Sequence, residues 1–324
     1  MSPGAESRAE AAVVMKSFPL QILLATYNSS RFLREQLDSI LAQDCRDFEL
    51  LIRDGGSSDD TIGIIEDYRR NYPETIRFMG SSAARAPENF TALLKSSTAP
   101  LIMFSDHDDV WKPDKVRLTL GKYREMEAEF GGGTPIMVFT DSEVVDIRLK
   151  PIAPSMFRYQ NIDVNAMTLN RLIVQNVPSG NTMLVNRALV ELAQPIPPAA
   201  VMHDHWLTLV AATMGKFGYL PEQTVSYRQH TDNFYGAASY SVLAFLGKLS
   251  FGREKIRRRF LQNIDQAVEF GRRYAGSLSP DEAAMLADLK AFRALGFWGR
   301  RRLLWKHGMW KSGFLRNLGS FLFI

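Results

Sequence analysis

Cysteine is nearly absent from this chain: Cys45 is the only one among 324 residues. A single thiol excludes a disulfide framework and a cysteine-based zinc site, and it permits a reducing compartment. No run of about 18 or more apolar residues occurs, so no transmembrane helix is expected. The opening MSPGAESRAEAAVVMKSFP has neither a basic start nor a sustained apolar core, so residues 1–18 read as a flexible leader and not as a signal peptide. Internal repeats and low-complexity segments are missing too, which excludes a repeat architecture. Acidic residues stop at Asp288. Residues 251–324 hold 15 Lys and Arg against 6 Asp and Glu, whereas the rest of the chain holds 24 against 29, so the net charge of +4 is concentrated in the tail. That asymmetry calls for a separate explanation of the tail.

What is present suits a globular protein. The apolar fraction is 46% and the charged fraction 23%, enough for one large domain or one domain with an appendage. Short apolar runs, LQILLA (20–25), FELLIR (48–53), TIRFMG (75–80) and PLIMF (100–104), read as strands. Between them lie helical patterns at 30–43, 60–71 and 88–97, the first carrying Phe32, Leu33, Leu37, Ile40 and Leu41 at helical spacing. Strand and helix alternate, which implies a parallel sheet with helices on both faces. The alternation then loosens. A helix is expected over 113–130 with Pro113 in its first turn. PIMVFTDSEVVD reads as a strand, SGNTMLVNRALVELA as strand then helix, and HDHWLTLVAATMG as a helix ended by Gly215. KFGYL and TVSYRQH follow as two strands, and helices are expected over 240–274, 281–294 and 297–316.

Ligands of open parallel sheets bind outside the carboxyl ends of the strands. Three polar clusters fall there: ATYNSS, RDGGSSDD and SDHDD. DGGSSDD alone reads first as a tight turn whose Ser57, Ser58 or Asp59 caps the next helix. SDHDD carries more. Asp106 and Asp108 are two residues apart, so in extended chain they point to one side. Converging carboxylates suit a hard divalent cation with oxygen ligands, Mg²⁺ or Mn²⁺, which relieves their repulsion and bridges to phosphate.

In order, ATYN, RDGGSSDDT, SDHDDVWKPDK, HDHW and YRQH resemble the motifs of inverting, nucleotide-sugar-dependent glycosyltransferases of family 2, and FSDHDDVWKPDKV with YRQHTDN is most similar to bacterial rhamnosyltransferase-type members. The resemblance covers about residues 20–236. It implies an α/β GT-A fold, Rossmann-like, with a mixed, mainly parallel sheet, flanking helices and a C-terminal helical extension. It implies a catalytic domain over 19–238 and a helical basic region over 239–324. Ala25, Thr26, Tyr27 and Asn28 would line the nucleotide site, mainly through backbone, with Asp54 near base or ribose. The family usually has a second acidic residue after Asp54, one that often contacts the pyrimidine base; this chain has Gly55. Asp106 would approach ribose or metal, His107 would hold the tolerant middle position, and Asp108 would be the principal metal ligand, joined by His230. Asp109 would support the loop. Asp204 matches the catalytic base, the carboxylate that takes the acceptor hydroxyl's proton. Trp111, Asp141, Gly180, Asn181, His203 and His205 stand where sugar or acceptor contacts are expected, although ordinary turn chemistry also explains the segments 140–142 and 179–181. His203 and His205 lack the helical spacing of a zinc pair.

The tail FWGRRRLLWKHGMWKSGFLRNLGSFLFI mixes basic and aromatic residues, and Trp298, Trp305 and Met309 can share one helical face. That pattern suits either an interfacial helix on an anionic membrane surface or a helix packed on the catalytic domain. No nucleic-acid reader motif accompanies the charge. The expectation is therefore a metal-dependent inverting transferase, moving a sugar such as L-rhamnose from a dTDP or UDP donor to a glycan or lipid-linked acceptor. Its place would be the cytoplasmic, inner face of the cell membrane, in cell-surface polysaccharide synthesis. The alternatives are a non-catalytic, membrane-associated member of a glycan-assembly complex, and a glycosidase using paired carboxylates.

Overall fold

The computed structural model describes residues 19–230 and 253–324. Its first half is built from strands β1 (Leu20–Thr26), β2 (Phe48–Asp54), β3 (Ile76–Ser81) and β4 (Leu101–Ser105), connected by helices α1 (Leu33–Leu41), α2 (Thr61–Asn71) and α3 (Ala86–Ser96). These four strands are mutually parallel in the order β3-β2-β1-β4. All seven residues of β1 are buried, because helices cover both faces of the sheet. Its alternate residues serve different layers. Leu23 and Ala25 join Leu51, Phe90 and Phe104, while Leu20, Ile22 and Leu24 join Leu37, Ile40, Leu50 and Ile52. Gln21 is buried in this run without penalty: its amide donates to Glu49 and its carbonyl accepts the Thr98 and Ala99 N–H groups.

The second half adds β5 (Val110–Trp111), α4 (Lys115–Phe130), β6 (Ile136–Val145), β7 (Pro151–Ala153), α5 (Met156–Tyr159), α6 (Leu169–Val174), β8 (Met183–Asn186), α7 (Arg187–Ala193), α8 (His203–Met214) and β9 (Lys216–Arg228). The sheet continues from β4 as β8-β6-β9-β5, with β7 beside β6. β8 runs antiparallel to β4 and β6, and β5 antiparallel to β9, so the sheet is mixed. Two pairings place the site. β4 and β5 are joined by residues 106–109, and β5 pairs with β9 through Val110 to Ser226 and Trp111 to Val225. The acidic loop is thereby held against the end of β9.

Several elements depart from the sequence reading. KFGYL and TVSYR form one strand, because β9 follows β6 through register shifts around Asp141. Pro113 precedes the cap residue Asp114 of α4 and so lies outside its first turn. The expected helix over 297–316 is two, α11 (Phe297–Lys306) and α12 (Phe314–Phe323), because Gly308 and Gly313 between them take φ of +59° and +85°. Trp298 and Trp305 share an outward face, but Met309, beyond the break, is buried.

The preceding helices are α9 (Arg253–Arg273) and α10 (Pro280–Leu289), the latter started by a capping box between Ser279 and Glu282. The expected domain boundary at 238–239 and the start of the 240–274 helix lie outside the described residues. The C-terminal helices share the core of the sheet's α3 face. Phe260, Ile264, Phe270, Met285, Leu289, Leu303 and Leu304 belong to the cluster that contains Trp206 and Phe104. Phe270 meets Trp206 edge-on at 5.7 Å between ring centroids. Truncating a ring of this kind to alanine costs about 3–5 kcal/mol. No described helix is long and apolar enough to cross a membrane.

Candidate active site

Asp54 ends β2 and is fully buried. Its carboxylate accepts from Thr26 Oγ1 (2.9 Å), Ser57 Oγ (2.5 Å), Ser81 Oγ (2.7 Å), and the N–H groups of Gly56 and Ser57 (both 2.8 Å). Burial pushes its pKa up, but the Ser57, Ser81 and Thr26 bonds together hold it below the ordinary carboxylate value. Asp54 thus organises the turn, and its oxygens are spent within the protein. Asn28 takes φ of +46°; its N–H donates to Ser57 Oγ and its Oδ1 accepts from the Ser58 N–H. The β1 and β2 loops are locked together at the carboxyl edge. Ala25 and Thr26 are buried, so they offer backbone there, whereas Tyr27 is 57% exposed beside them.

The acidic row follows β4 as a bend, not as extended chain, so strand alternation does not set its side-chain directions. Asp106 carries no side-chain hydrogen bond among the described residues. Burial and the charges of Asp108 and Asp204 raise its pKa to about 7. Asp108 Oδ2 lies 2.9 Å from His230 Nε2. The expected pairing of these two residues, 122 positions apart, is therefore present in the fold. His107 is held below its ordinary pKa, chiefly by burial, and its Nδ1 has no partner among the described residues.

Asp109 is fully buried and accepts from Asn181 Nδ2 (2.5 Å) and the Arg228 N–H (3.1 Å). Burial and the charges of Asp108 and Asp106 push its pKa well up. Lys115, buried nearby, is pushed down to about 7 by burial against the opposing pull of Asp109; its Nζ lies 4.7 Å from the Trp111 ring centroid. Arg228 is the clamp of the loop. Its Nε donates to Asp108 O and its NH1 to Ile147 O (both 2.8 Å), its NH2 pairs with Glu35, and its guanidinium covers the Phe32 ring at 4.5 Å. Neither Arg228 nor Lys115 was singled out in the sequence, although both lie inside the motifs YRQH and WKPDK. A basic residue inside an otherwise acidic or strand-end motif was the available signal.

Asp204 stands in the first turn of α8. Its Oδ1 accepts the His205 N–H (2.6 Å) and its Oδ2 the Gly180 N–H (3.2 Å). Burial, opposed by these bonds, lifts its pKa to about 6. Its charge acts on Asp106, so the two carboxylates lie within electrostatic range of each other. The other expected sugar or acceptor contacts turn inward. Trp111 is 2% exposed against Lys115. Asp141 caps α5, accepting from Ser155 Oγ and the Met156 N–H. Asn181 is spent on Asp109, and His205 Nε2 bonds Leu172 O at 2.7 Å. His203 is stacked between Phe90 and Phe104 at 4.0 and 4.6 Å, with both ring nitrogens unpartnered among the described residues. Asp141 and His205 thus make their polar contacts within the protein, whereas His203 and the Asn181 carbonyl oxygen leave polar atoms unpartnered among the described residues.

Residues 21–171, from β1 through α6, match the family model described as glycosyl transferase family 2. Those residues form a family 2 glycosyltransferase domain. The chain has the fold of GT-A glycosyltransferases. Its curated relatives include a dTDP-rhamnosyl transferase, RfbG of Shigella flexneri, 26% identical over 300 residues that cover 86% of this chain and 94% of that protein. A glycosyltransferase of Nostoc sp. is 24% identical and covers 78% of each chain. Among solved structures, residues 1–349 of TarS from S. aureus, in complex with UDP-GlcNAc, superpose with a TM-score of 0.53 at 16% identity, covering 90% of this chain and 92% of that one. Asp204 and His230 lie beyond the residues matched by the family model.

Proposed function

We propose that this chain is an inverting, metal-assisted glycosyltransferase with Asp204 as general base. What supports the reading is that Asp108 pairs with His230 while the charges of Asp108 and Asp204 both act on Asp106. Asp204 is a carboxylate whose pKa of about 6 leaves it ionised yet basic near neutral pH. It takes the acceptor hydroxyl's proton as the oxygen attacks the anomeric carbon from the face opposite the leaving nucleoside diphosphate.

The donor set fits a hard divalent cation. Asp106 is a carboxylate with no hydrogen-bond donor among the described residues, and the charges of Asp108 and Asp204 act on it. Asp108, whose charge acts on Asp106, pairs with His230. Among the described residues no group of three or more such side chains is gathered in metal-ligating geometry. Asp108, Asp106 and His230 would hold Mg²⁺ or Mn²⁺, which would supply charge neutralisation for the leaving diphosphate. The donor we favour is a dTDP- or UDP-sugar, with L-rhamnose first, supported by the similarity to RfbG. Asn28, Tyr27 and the backbone of Ala25 and Thr26 would face the nucleotide, with Asp54 setting their loop.

Residues 19–238 are proposed as the transferase unit and 239–324 as a helical extension that meets a membrane surface carrying a lipid-linked glycan acceptor. Trp298 and Trp305 are 73% and 75% exposed on a segment without a single carboxylate after Asp288, which supports that partner. The test is nucleoside diphosphate release from a panel of dTDP-, UDP- and GDP-sugars with Mg²⁺ or Mn²⁺ or with chelator. Release is expected from one donor, lost on chelation and in Asp108→Ala. Equal release with and without metal, in both proteins, overturns the metal assignment.

A further inference from the structure

Helix α6 is only six residues long, too short to be stable on its own hydrogen bonds, so its place is set by what it touches. Leu172 and Ile173 are buried in the core cluster that also holds Leu303, Leu304 and Met309 of the C-terminal region. Apolar burial is non-directional, so the polar groups of α6 are what fix its rotation and height. On one side they grip the segment between α11 and α12. Asn170 Nδ2 donates to His307 O (2.9 Å) and Gly308 O (3.1 Å), carbonyls at the open end of α11. Gln175, the residue that ends α6, accepts the Ser312 N–H at its Oε1 (2.6 Å). Ser312 is buried, and its Oγ accepts the Asp163 N–H (3.0 Å) from the chain leading to α6. The fit is close: a Cβ at Gly308 would stand 3.3 Å from Asn170 Nδ2.

On the other side α6 and the chain after it meet Asp204. Leu172 O accepts from Nε2 of His205, the residue next to Asp204 (2.7 Å). The Gly180 N–H donates to Asp204 Oδ2 (3.2 Å), and Asn181 Nδ2 donates to Asp109 Oδ2 (2.5 Å). Asn176 Nδ2 donates to Pro178 O (2.8 Å) and braces the chain in between. A reacting carboxylate must be held within about 0.5 Å of its productive geometry by groups that are themselves locked. Here those groups are locked in turn by the tail. We infer that Asn170 and Gln175 are positioning residues for the transfer: by gripping residues 307–312 they fix α6, and α6 with its following chain orients the Asp204 carboxylate through His205 and Gly180. The inference rests on the general-base reading of Asp204. It makes the helical extension a working part of the transferase as well as a surface for a partner.

The test uses the full chain and the donor that the panel above selects. Nucleoside diphosphate release at saturating donor gives kcat, and calorimetric titration with the matching nucleoside diphosphate gives affinity. Asn170→Leu with Gln175→Met removes both grips at nearly constant side-chain size. Its kcat is expected to fall between about tenfold and 10²-fold, the cost of misplacing a reacting group by about 1 Å, while affinity stays at the wild-type value. Gln175→Glu keeps an acceptor for the Ser312 N–H and should keep the wild-type kcat, whereas Gln175→Met alone should lower it; that pair decides the case in which the double variant does not fold. A double variant with wild-type kcat overturns the inference, as does a loss of affinity as large as the loss of kcat, or equal kcat in Gln175→Glu and Gln175→Met. In each case the base reading stands if Asp204→Asn, assayed alongside, has lost turnover. Wild-type turnover in Asp204→Asn overturns that reading, and the inference with it.

Discussion

At the scale of single residues, burial sets the chemistry. Asp204 and His203 are chain neighbours driven opposite ways by the same cause. Burial lifts the Asp204 pKa to about 6, because it disfavours the charged carboxylate, and lowers the His203 pKa to about 3, because it disfavours the imidazolium. A base must be deprotonated to act. The pH profile of kcat is therefore expected to rise through about pH 6 and level off above it, measured as nucleoside diphosphate release at saturating donor. For His203 the folded pKa lies below its ordinary 6.5, so its stability contribution is complete above pH 6.5 and is lost as pH falls toward 3. His203→Phe keeps a ring between Phe90 and Phe104 and removes the titration. Between pH 7 and 5 the wild type is expected to lose roughly 2 kcal/mol more stability than this variant, at about 1.4 kcal/mol per pKa unit. Parallel losses in urea titrations at the two pH values would contradict this. The closeness of Asp108 and His230 was legible because both motifs sit at strand ends that share one edge of the sheet. The inward turn of Trp111, Asp141, His203 and His205 was not legible, because it depends on which neighbour each side chain meets.

At the scale of elements, the alternation of the first hundred residues was readable because apolar runs bounded by Gly, Asp, Asn and Ser leave few alternatives. The second half was harder. β8 enters antiparallel between β4 and β6, and nothing in MLVN announces its direction. The apolar spacing of 297–316 suggested one helix, yet Gly308 and Gly313 adopt positive φ and divide it. The β2 and β3 loops show the same dependence on partners. Gly55 looks like a lost carboxylate in sequence, whereas in the fold it is a close approach of two loops. Gly55→Asp, which restores the family's second acidic residue, is expected to cost about 1–3 kcal/mol through overpacking against Ala84 O and Asn89. A chemical denaturation curve unchanged in midpoint would show that the loops yield easily.

At the scale of the whole molecule, the C-terminal helices do two things at once. Their inner faces complete the core around Trp206, and the outer face of α11 presents Trp298, Arg302 and Trp305 at helical spacing. The two alternatives left by the sequence, packing on the domain and meeting a membrane, are therefore compatible. Trp298→Glu with Trp305→Glu alters exposed positions only and should leave the thermal midpoint in place. It is expected to abolish co-flotation with vesicles containing phosphatidylglycerol, while the wild type floats in a salt-sensitive manner. Equal flotation of the two proteins would remove the membrane surface as a partner.

The proposed general base gives the most direct test. Asp204→Asn keeps the size of the side chain and an oxygen for the His205 N–H, so donor binding should be retained. Turnover of the donor with its acceptor should fall by about 10²–10⁴-fold, the usual contribution of a positioned base. Donor affinity within a few-fold of wild type together with that loss in kcat is the expected result. Turnover equal to wild type would contradict the assignment of Asp204 and, with it, the proposed chemistry of the site.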